Sequence, residues 1–316
     1  MKLTLVKVGG AIVENADSLS SLLDKFASIE GHKVLVHGGG RSATRIAERL
    51  GLPQQMVAGR RVTDADTLRV VTMVYAGLVN KNIVAQLQAR GINALGLTGA
   101  DMNVISSHRR PPKQVRMDDG STQTVDYGFV GDIDQVNADL LADLIAKGVV
   151  PVMCPIGHDT QGSLLNTNAD TIAAEVAKAL ARNFEVTLVY CFEKRGVLRD
   201  ADDDDSVIPC ITQAEFPVLV EQGIVSGGML PKLENAFDAS RQGYKKLSSP
   251  VPMRSTILPK APVCTDPTIS LLSILSICQP KHQANCCTES RRRRCSALPY
   301  GLPSCWCLFS RKCMTI

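Results

Sequence analysis

The sequence predicts an α/β fold in which helices cover both faces of a mostly parallel β-sheet. Short apolar segments rich in β-branched residues alternate with longer amphipathic segments along the first 246 residues. The apolar segments lack a polar face, which is typical of parallel strands that are buried on both sides. Strands and helices that alternate in this way favour strand–helix–strand units over an all-helical or all-β architecture.

The individual predicted elements follow this alternation of strands and helices. Residues 2–10 and 32–40 contain the strands LTLVKVGG and HKVLVHGGG, each ended by glycines and followed by helical text at 18–30 and 42–52. The later elements are predicted as helix 64–91, strand 93–99, helix 137–148, strand 149–157, helix 168–182 and strand 185–192. Residues 106–130 contain adjacent prolines and no clear periodicity, so they are predicted as a hairpin-like excursion over the sheet.

Composition argues against a secreted, membrane-spanning or nucleic-acid-binding protein. The net charge of +4 is small for 316 residues, and part of it comes from Arg291–Arg294 near the end of the chain. Of the eleven cysteines, only Cys154, Cys191 and Cys210 precede residue 247, and they form no disulfide or zinc pattern. The first segment reads as a strand rather than a signal peptide, and no apolar run reaches the roughly 20 residues of a membrane span. We therefore expect a cytoplasmic protein with no nucleic-acid or membrane partner.

Two glycine clusters follow neighbouring strands at the edge where open parallel sheets bind ligands. Lys7 stands just before Gly9 and Gly10, and Gly38–Gly40 lie between a strand and the start of a helix. Consecutive glycines let backbone N–H groups approach an anion, and a helix N-terminus adds a favourable dipole. One such pair alone would be read as a tight turn, but two clusters with a lysine favour phosphate. The chain has no Walker A loop and no protein-kinase signature, so phosphate binding needs another arrangement.

Further polar residues occur at the later strand-to-helix junctions. Asn166, Asn168 and Asp170 alternate in NTNAD, where either Asn168 or Asp170 is expected to cap the next helix. Lys232 follows a third glycine pair, although a lone lysine is more often a solvated surface charge. Arg61 can bind a carboxylate through two parallel hydrogen bonds, yet by itself it is a weak signal.

Taken together, these segments resemble the amino acid kinase family. Six motifs occur in the order and at the intervals of that family: KVGGAIV (7–13), VHGGG (36–40), GRRVT (59–63), NTNADTIAAEVA (166–177), EKRGVL (193–198) and GGMLPKLENAF (227–237). The resemblance covers residues 2–246 and implies a three-layer αβα sandwich that acts as a homodimer in arginine biosynthesis. It implies an N-terminal half that binds an acylated glutamate and a C-terminal half that binds nucleotide.

The implied reaction transfers the γ-phosphoryl group of MgATP to the γ-carboxylate of N-acetyl-L-glutamate and yields an acyl phosphate. The resemblance implies that Lys7 and Lys232 neutralise charge on the transferring group and that Asp170 holds both lysines. No general base is needed, since a carboxylate is already ionised at neutral pH. Lys7, Lys232, Gly9 and Gly10 are the implied nucleotide and phosphate residues, and Gly39, Gly40, Arg61 and Asn166 are the implied substrate residues. Mg²⁺ is expected to be held mainly by the nucleotide, with no metal site on the protein.

Two departures from the family pattern leave alternatives open. Many relatives have SDVSG where this chain has FEKRG at Phe192–Gly196, which puts the nucleotide contacts there in doubt. The basic excursion HRRPPKQVRMDDG (108–120) could accommodate the acidic acyl group of N-succinylglutamate, or it could be a solvated loop. Another relative that phosphorylates carbamate or glutamate, and an inactive or regulatory binding protein, are the remaining alternatives.

The sequence changes character after Lys246, where the family would continue with a buried strand such as VVIT. Residues 247–250 read Leu-Ser-Ser-Pro, and if their codons are TTG TCA TCA CCN, one guanine added in front gives Val-Val-Ile-Thr. The shifted frame then permits Ser-Ala-Asp-Ala-Ile, a Gly-Thr pair and a stop codon. We therefore expect 1–246 to be the kinase domain and 247–316 to be off-frame and disordered. A cysteine-rich metal module or basic nucleic-acid module is the competing interpretation, but the tail lacks C-x₂-C pairs.

Overall fold

Strands and helices alternate as predicted in the computed structural model of the chain. The structure describes residues 1–117, 120–191, 197–200, 202–203, 206–208, 210–212, 214–226, 230, 233 and 268–270. All of them lie in one unit, Met1–Pro280. The strands are β1 Lys2–Val8, β2 His32–His37, β3 Met56–Val57, β4 Arg60–Arg61, β5 Ala94–Leu97, β6 Ile105–Arg109, β7 Lys113–Arg116, β8 Thr122–Val125, β9 Gly131–Val136, β10 Val150–Met153, β11 Ile156–His158, β12 Leu164–Asn166, β13 Glu185–Cys191, β14 Cys210–Thr212 and β15 Thr268–Ser270. The helices are α1 Gly10–Glu14, α2 Ala16–Ala27, α3 Gly40–Arg49, α4 Ala65–Thr72, α5 Asn80–Gln88, α6 Ala138–Ala146, α7 Ala169–Leu180 and α8 Glu215–Glu221.

The central sheet has five strands in the order β13-β1-β2-β10-β5. Every pairing in it is parallel, and Val8 at the end of β1 lies opposite His37 at the end of β2. The carboxyl ends of β1 and β2 therefore meet at one edge of the sheet, and the glycine clusters that follow them become neighbours.

Helices pack on both faces of this sheet, which confirms the predicted three-layer αβα sandwich. Because side chains of a strand alternate between faces, Leu3 and Leu5 of β1 join a cluster with α6 and α7, while Val6 and Val8 join a cluster with α2 to α5. These four side chains are at most 1% exposed, and burial of each contributes about 1.5–3 kcal/mol. The alternation also decides where Lys7 goes, since it shares the α7 face with Leu3 and Leu5.

The predicted excursion contains a hairpin, β7 paired antiparallel with β8. In the chain it falls between β6 and β9, which belong to a second sheet of four strands in the order β12-β11-β6-β9. The sequence did not predict this sheet. A small cluster of Val57, Val115, Tyr127 and Val130 packs beneath the hairpin. Two further pairs are antiparallel, β3 with β4 and β14 with β15, and β15 lies within the segment predicted to be a non-family tail.

One long helix runs from Ala65 to Gln88, and a π-helical segment, Met73–Val79, joins α4 to α5. Length and composition alone would let this helix cross a membrane. However, Val70, Val71, Ile83 and Leu87 are at most 2% exposed and pack in the core on the α2 face of the sheet. The helix is thus placed as a core helix of the sandwich.

Candidate active site

The site lies at the carboxyl ends of β1 and β2, where two glycine loops face each other. Gly9 and Gly10 follow β1, and the glycine loop Gly38–Gly40 follows β2 and begins α3. The N–H of Gly38 donates to the carbonyl of Val8 at 3.0 Å, which ties the second loop to the first strand. A Cβ placed on Gly38 would lie 3.4 Å from the nitrogen of Gly10, so a side chain there would crowd the first loop.

The amides of these loops are suited to an anion. The N–H groups of the first helical turn have no acceptor inside the helix, and Gly40 begins the ten-residue helix α3. The helix dipole adds positive potential at the same point. The N–H of Gly9 already donates to the carbonyl of Cys191 at 2.9 Å. The donors that the two loops can offer an anion at the sheet edge are therefore the N–H groups of Gly10, Gly39 and Gly40.

Lys7 and Asp170 form an ion pair beside these loops. The Nζ of Lys7 lies 2.6 Å from Oδ1 of Asp170, and the two side chains are only 7% and 13% exposed. Asp170 is the second residue of α7, and the cap of that helix is Asn168, whose Oδ1 accepts from the N–H of Asp170 at 2.7 Å and of Thr171 at 3.3 Å. The amide of Asn168 therefore does the capping and leaves the carboxylate of Asp170 to Lys7.

Arg61 reaches the glycine loop from β4. Its Nη2 donates to the carbonyl of Gly40 at 3.0 Å and to the hydroxyl of Thr44 at 2.8 Å, and its Nη1 donates to Oε1 of Gln54. The structure thus brings together Arg61, Gly39 and Gly40, which the sequence could link only through the family resemblance.

Asn166 stands at the end of β12, 8% exposed, and is tied to the segment after β4. Its Nδ2 donates to the hydroxyl of Thr63 at 3.0 Å, and its N–H donates to the carbonyl of Phe129 at 2.9 Å. Thr63 also accepts from the N–H of Phe129 at 2.7 Å. Gly128 completes this junction, because a Cβ there would lie 2.2 Å from the carbonyl oxygen of Thr63.

Lys232, the second predicted catalytic lysine, lies outside the described residues, and so does the segment Phe192–Gly196. Leu233, the next residue after Lys232, is described and is 3% exposed in the core. Among the described residues, no group of three or more His, Cys, Asp or Glu side chains is placed to hold a metal ion.

The arginines of the excursion are paired with carboxylates. Arg109 lies 3.1 Å from Asp126, and Arg110 lies 2.5 Å from Asp132 and over the ring of Tyr127. Burial would raise the pKa of the Asp132 carboxyl, but the hydrogen bonds and charge of Arg110 outweigh it, so the pKa is lowered. Nη1 of Arg110 is buried and has no hydrogen-bond partner among the described residues.

Sequence reasoning missed three residues that pack under the glycine loop, His37, Tyr75 and Asn80. His37 and Asn80 are 0% and 1% exposed, and Tyr75 is 5% exposed. Burial lowers the pKa of His37 to about 4, although the hydrogen bond to Gly38 acts in the opposite direction. The sequence offered one signal for this cluster, the position of His37 between an apolar strand and three glycines. A histidine buried there requires polar partners, which indicates that further polar residues pack against it.

We expect the free energy of unfolding to decrease as the pH is lowered from about 6.5 towards 4. In this window the unfolded chain protonates His37, while the folded protein keeps it neutral, so the unfolded state binds more protons. The full shift corresponds to about 3 kcal/mol. Urea unfolding of the wild type at several pH values measures this slope. The His37→Gln variant should show a smaller slope, and equal slopes would contradict the prediction.

Comparisons with known proteins agree with this geometry. A family model described as the amino acid kinase family matches residues 2–247. An acetylglutamate kinase of Bacteroides thetaiotaomicron is 67% identical over 246 residues, which cover 78% of this chain and 92% of that relative. Acetylglutamate kinases of Cytophaga hutchinsonii and Methanopyrus kandleri are 51% and 41% identical and are covered to 90% and 92%.

Solved structures share the architecture. A crystal structure of a Streptococcus mutans protein matches with a TM-score of 0.61 at 25% identity, over 77% of this chain and 91% of that one. An N-acetylglutamate synthase from Neisseria gonorrhoeae, complexed with coenzyme A and N-acetyl-glutamate, matches with a TM-score of 0.61 at 22% identity, over 76% of this chain and 52% of that one. The second likeness concerns the fold alone.

Proposed function

The chain belongs to the amino acid kinase family. We propose that it phosphorylates N-acetyl-L-glutamate with ATP, as a step of arginine biosynthesis that takes place in the cytoplasm. The γ-carboxylate oxygen attacks the γ-phosphorus of ATP, the bond from that phosphorus to the ADP oxygen breaks, and an acyl phosphate and ADP result. The curated relatives named acetylglutamate kinase support this choice of substrate, because they share up to 67% of the aligned residues.

The observation that carries the proposal is the Lys7–Asp170 ion pair beside the glycine loops. An ammonium group held 2.6 Å from a nearly buried carboxylate keeps a defined position beside the N–H donors. Phosphoryl transfer depends almost entirely on positioning and on neutralising charge on the transferring group. The site supplies both, and it does so without a general base.

Each residue has a role in this proposal. Lys7, with Lys232, neutralises charge on the transferring phosphoryl oxygens, and Asp170 holds the lysines without accepting a proton. The N–H of Gly10 donates to the nucleotide phosphates. Gly9, whose own N–H donates to Cys191, lines the same loop and, having no side chain, lets the phosphates approach. The N–H groups of Gly39 and Gly40 donate to the acyl and phosphoryl oxygens. Arg61 binds the α-carboxylate, and Asn166 binds the acylamino group. The N-terminal half thus holds the acylglutamate and the C-terminal half the nucleotide.

Mg²⁺ enters this proposal with ATP. The donor set described above consists of an ammonium group and backbone N–H groups, which fit phosphate oxygens and repel a cation. The phosphates themselves would therefore hold Mg²⁺, which would supply neutralisation of their negative charge. Lys7, Gly9 and Gly10 are the described residues that meet the nucleotide side of that complex.

Substitution of Arg61 tests the substrate side. Arg61→Ala is expected to raise the KM for N-acetylglutamate about 10- to 100-fold, because a charge-assisted hydrogen bond to a carboxylate contributes about 1.5–3 kcal/mol. The KM for ATP should change much less. Arg60→Ala, at the neighbouring position of the same strand, is the matched control. A KM for N-acetylglutamate that rises equally in both variants would contradict the role of Arg61.

An ADP-release assay with N-acetylglutamate, N-succinylglutamate, glutamate and carbamate tests the function itself. We expect the highest kcat/KM with N-acetylglutamate. Turnover with glutamate or carbamate alone would move the chain to another branch of the family. No turnover with any acceptor, together with retained ATP binding, would favour the inactive or regulatory alternative.

N-succinylglutamate is the second candidate substrate, and one observation favours it. The Nη1 atom of Arg110 is buried and has no partner among the described residues. The backbone N–H of Arg110 donates to the carbonyl of Val130, and Val130 forms a β-bridge with Asn166. An acidic acyl group bound near Asn166 would offer that nitrogen an acceptor. The pairing of Arg110 with Asp132 argues for the smaller acetyl group, because it already neutralises the guanidinium.

We also propose that the chain forms a homodimer. Among the described residues, β5 pairs on one side only, and its Leu95 is 37% exposed. Two apolar side chains of the π-helical segment, Met73 and Leu78, are 57% and 60% exposed. Burial of these side chains against a second copy would remove them from water. Sedimentation equilibrium tests this: the wild type should have the mass of two chains, and Leu78→Glu should shift towards the mass of one. A wild-type mass of one chain would contradict the proposal.

A further inference from the structure

The glycine loop is held from beneath by two buried polar side chains, those of His37 and Asn80. Nδ1 of His37 lies 2.8 Å from the carbonyl oxygen of Gly38. Nε2 of His37 lies 3.0 Å from Nδ2 of Asn80, and that same nitrogen donates to the carbonyl of Val152 at 2.9 Å. Oδ1 of Asn80 accepts from Nζ of Lys81 at 3.3 Å.

These contacts determine the tautomer of His37. A carbonyl oxygen only accepts, so Nδ1 must carry the hydrogen that reaches Gly38. Nε2 is then an acceptor and takes a hydrogen from the amide of Asn80, whose second hydrogen goes to Val152. When the imidazole is neutral, each donor of the His37 and Asn80 side chains therefore has an acceptor, and each acceptor has a donor.

The hydrogen bond from His37 to Gly38 sets the orientation of the peptide plane between Gly38 and Gly39. The peptide bond between Gly38 and Gly39 is planar, and in the trans form its C=O and N–H point in opposite directions. With its carbonyl drawn towards His37, the peptide must turn the N–H of Gly39 away from the core. That N–H is one of the donors that the proposed reaction uses.

The π-helical segment brings the supporting residues to the loop. The N–H of Asn80 donates to the carbonyl of Tyr75, five residues earlier. In a regular α-helix, residues five apart would lie about 140° from each other around the axis, whereas π-helical bonding stacks them on nearly one side. As a result Asn80 meets His37 while Tyr75 packs on Gly39, where a Cβ would lie only 2.9 Å from Cδ1 of the ring.

We propose that His37, oriented by Asn80, is a positioning residue that aims the N–H of Gly39 at the transferring phosphoryl group. The inference rests on the proposed function for its catalytic consequence, although not for its geometry. Neither His37 nor Asn80 touches the reacting atoms in this scheme. Their effect passes through one backbone amide, where an error of about 1 Å can cost about 100-fold in rate.

Two substitutions of His37 separate positioning from packing. In His37→Asn the side-chain nitrogen takes the place of Nδ1 and can still donate to Gly38. In His37→Gln the side-chain amide takes the place of Nε2. The contact with Asn80 is then kept, and the hydrogen bond to the carbonyl of Gly38 is lost. We expect kcat to fall about 10- to 100-fold in His37→Gln with small changes in either KM, and to stay within about threefold in His37→Asn.

Leu87→Ala is the control for stability, because it removes a fully buried side chain from the far end of the same long helix. A merely structural role of His37 predicts that both His37 variants lose rate equally and in proportion to their loss of Tm, as Leu87→Ala does. That result would overturn the inference.

Nitrogen NMR of the full chain decides the geometry independently of turnover. The imidazole of His37, assigned by its loss in His37→Gln, should be protonated at Nδ1 and unprotonated at Nε2 at pH 7. The amide resonance of Gly39 should move in His37→Gln and hold its position in His37→Asn. Protonation at Nε2, or equal movement in both variants, would overturn the inference. A wild-type chain with no turnover but the expected spectra would instead contradict the proposed function.

Discussion

Lys7→Ala is expected to lower kcat for N-acetylglutamate phosphorylation about 10²–10³-fold, the usual cost of removing one electrostatic donor from an enzymatic transition state. The ammonium group of Lys7 is 2.6 Å from Asp170 and 7% exposed, so water cannot easily replace it. The same loss is expected for Lys232→Ala. Because the charge develops in the transition state, the KM for ATP should change far less than kcat.

The control for Lys7→Ala is Lys178→Ala on α7. Lys178 also forms an ion pair, 2.6 Å from Glu175, but the two side chains are 20% and 35% exposed and Lys178 follows Asp170 by eight residues on the same helix. Its removal should leave kcat within about twofold, since this partly exposed pair lies outside the proposed site and such pairs contribute about 0–1 kcal/mol. Circular dichroism must show that Lys7→Ala folds, because the carboxylate of Asp170 loses its partner. A folded Lys7→Ala protein with near-normal turnover would remove Lys7 from the mechanism.

One guanine inserted before the codon of Leu247 is expected to raise the free energy of unfolding on the order of 5 kcal/mol. The insertion would replace Leu-Ser-Ser-Pro by Val-Val-Ile-Thr, and each buried Val or Ile contributes about 1.5–3 kcal/mol. It would also remove Pro250, which cannot donate to a strand ladder. Among the described residues β13 pairs on one side only, so a restored strand has an edge at which to pair.

The comparisons support this interpretation of the break. The family match ends at residue 247, and the aligned residues already cover 92% of the Bacteroides thetaiotaomicron relative, so only a short segment of that protein has no counterpart here. Denaturant unfolding should compare the restored chain with the present chain and with a chain ended after Lys246. Equal midpoints for the restored and the shortened chain would contradict the prediction. An intact reading frame in the resequenced gene would refute the frameshift itself.

The layers of the fold were predictable because they depend on local pattern. Apolar runs such as residues 32–37 and amphipathic runs such as 168–182 have the periods of a buried strand and of a helix with one apolar face, and both elements formed where expected. The second sheet was not predicted, since β6, β9, β11 and β12 are short and carry little periodicity of their own. Their pairing depends on contacts between residues far apart in the chain, such as Ser106 with His158 and Ile105 with Val136.

The sequence by itself determined that Lys7 and two glycine clusters end neighbouring strands, because strand order and chain direction in a parallel sheet bring such ends to one edge. The contact of Asp170 with Lys7 was implied by the family resemblance, and the structure has it at 2.6 Å. Only the tertiary structure decided that Asn168, rather than Asp170, caps α7. It also decided that a π-helical turn directs Asn80 to His37. A one-residue change in helix register turns the following side chains by about 100° and so changes which of them face the loop. No local propensity encodes that choice, since it is made by packing between distant segments.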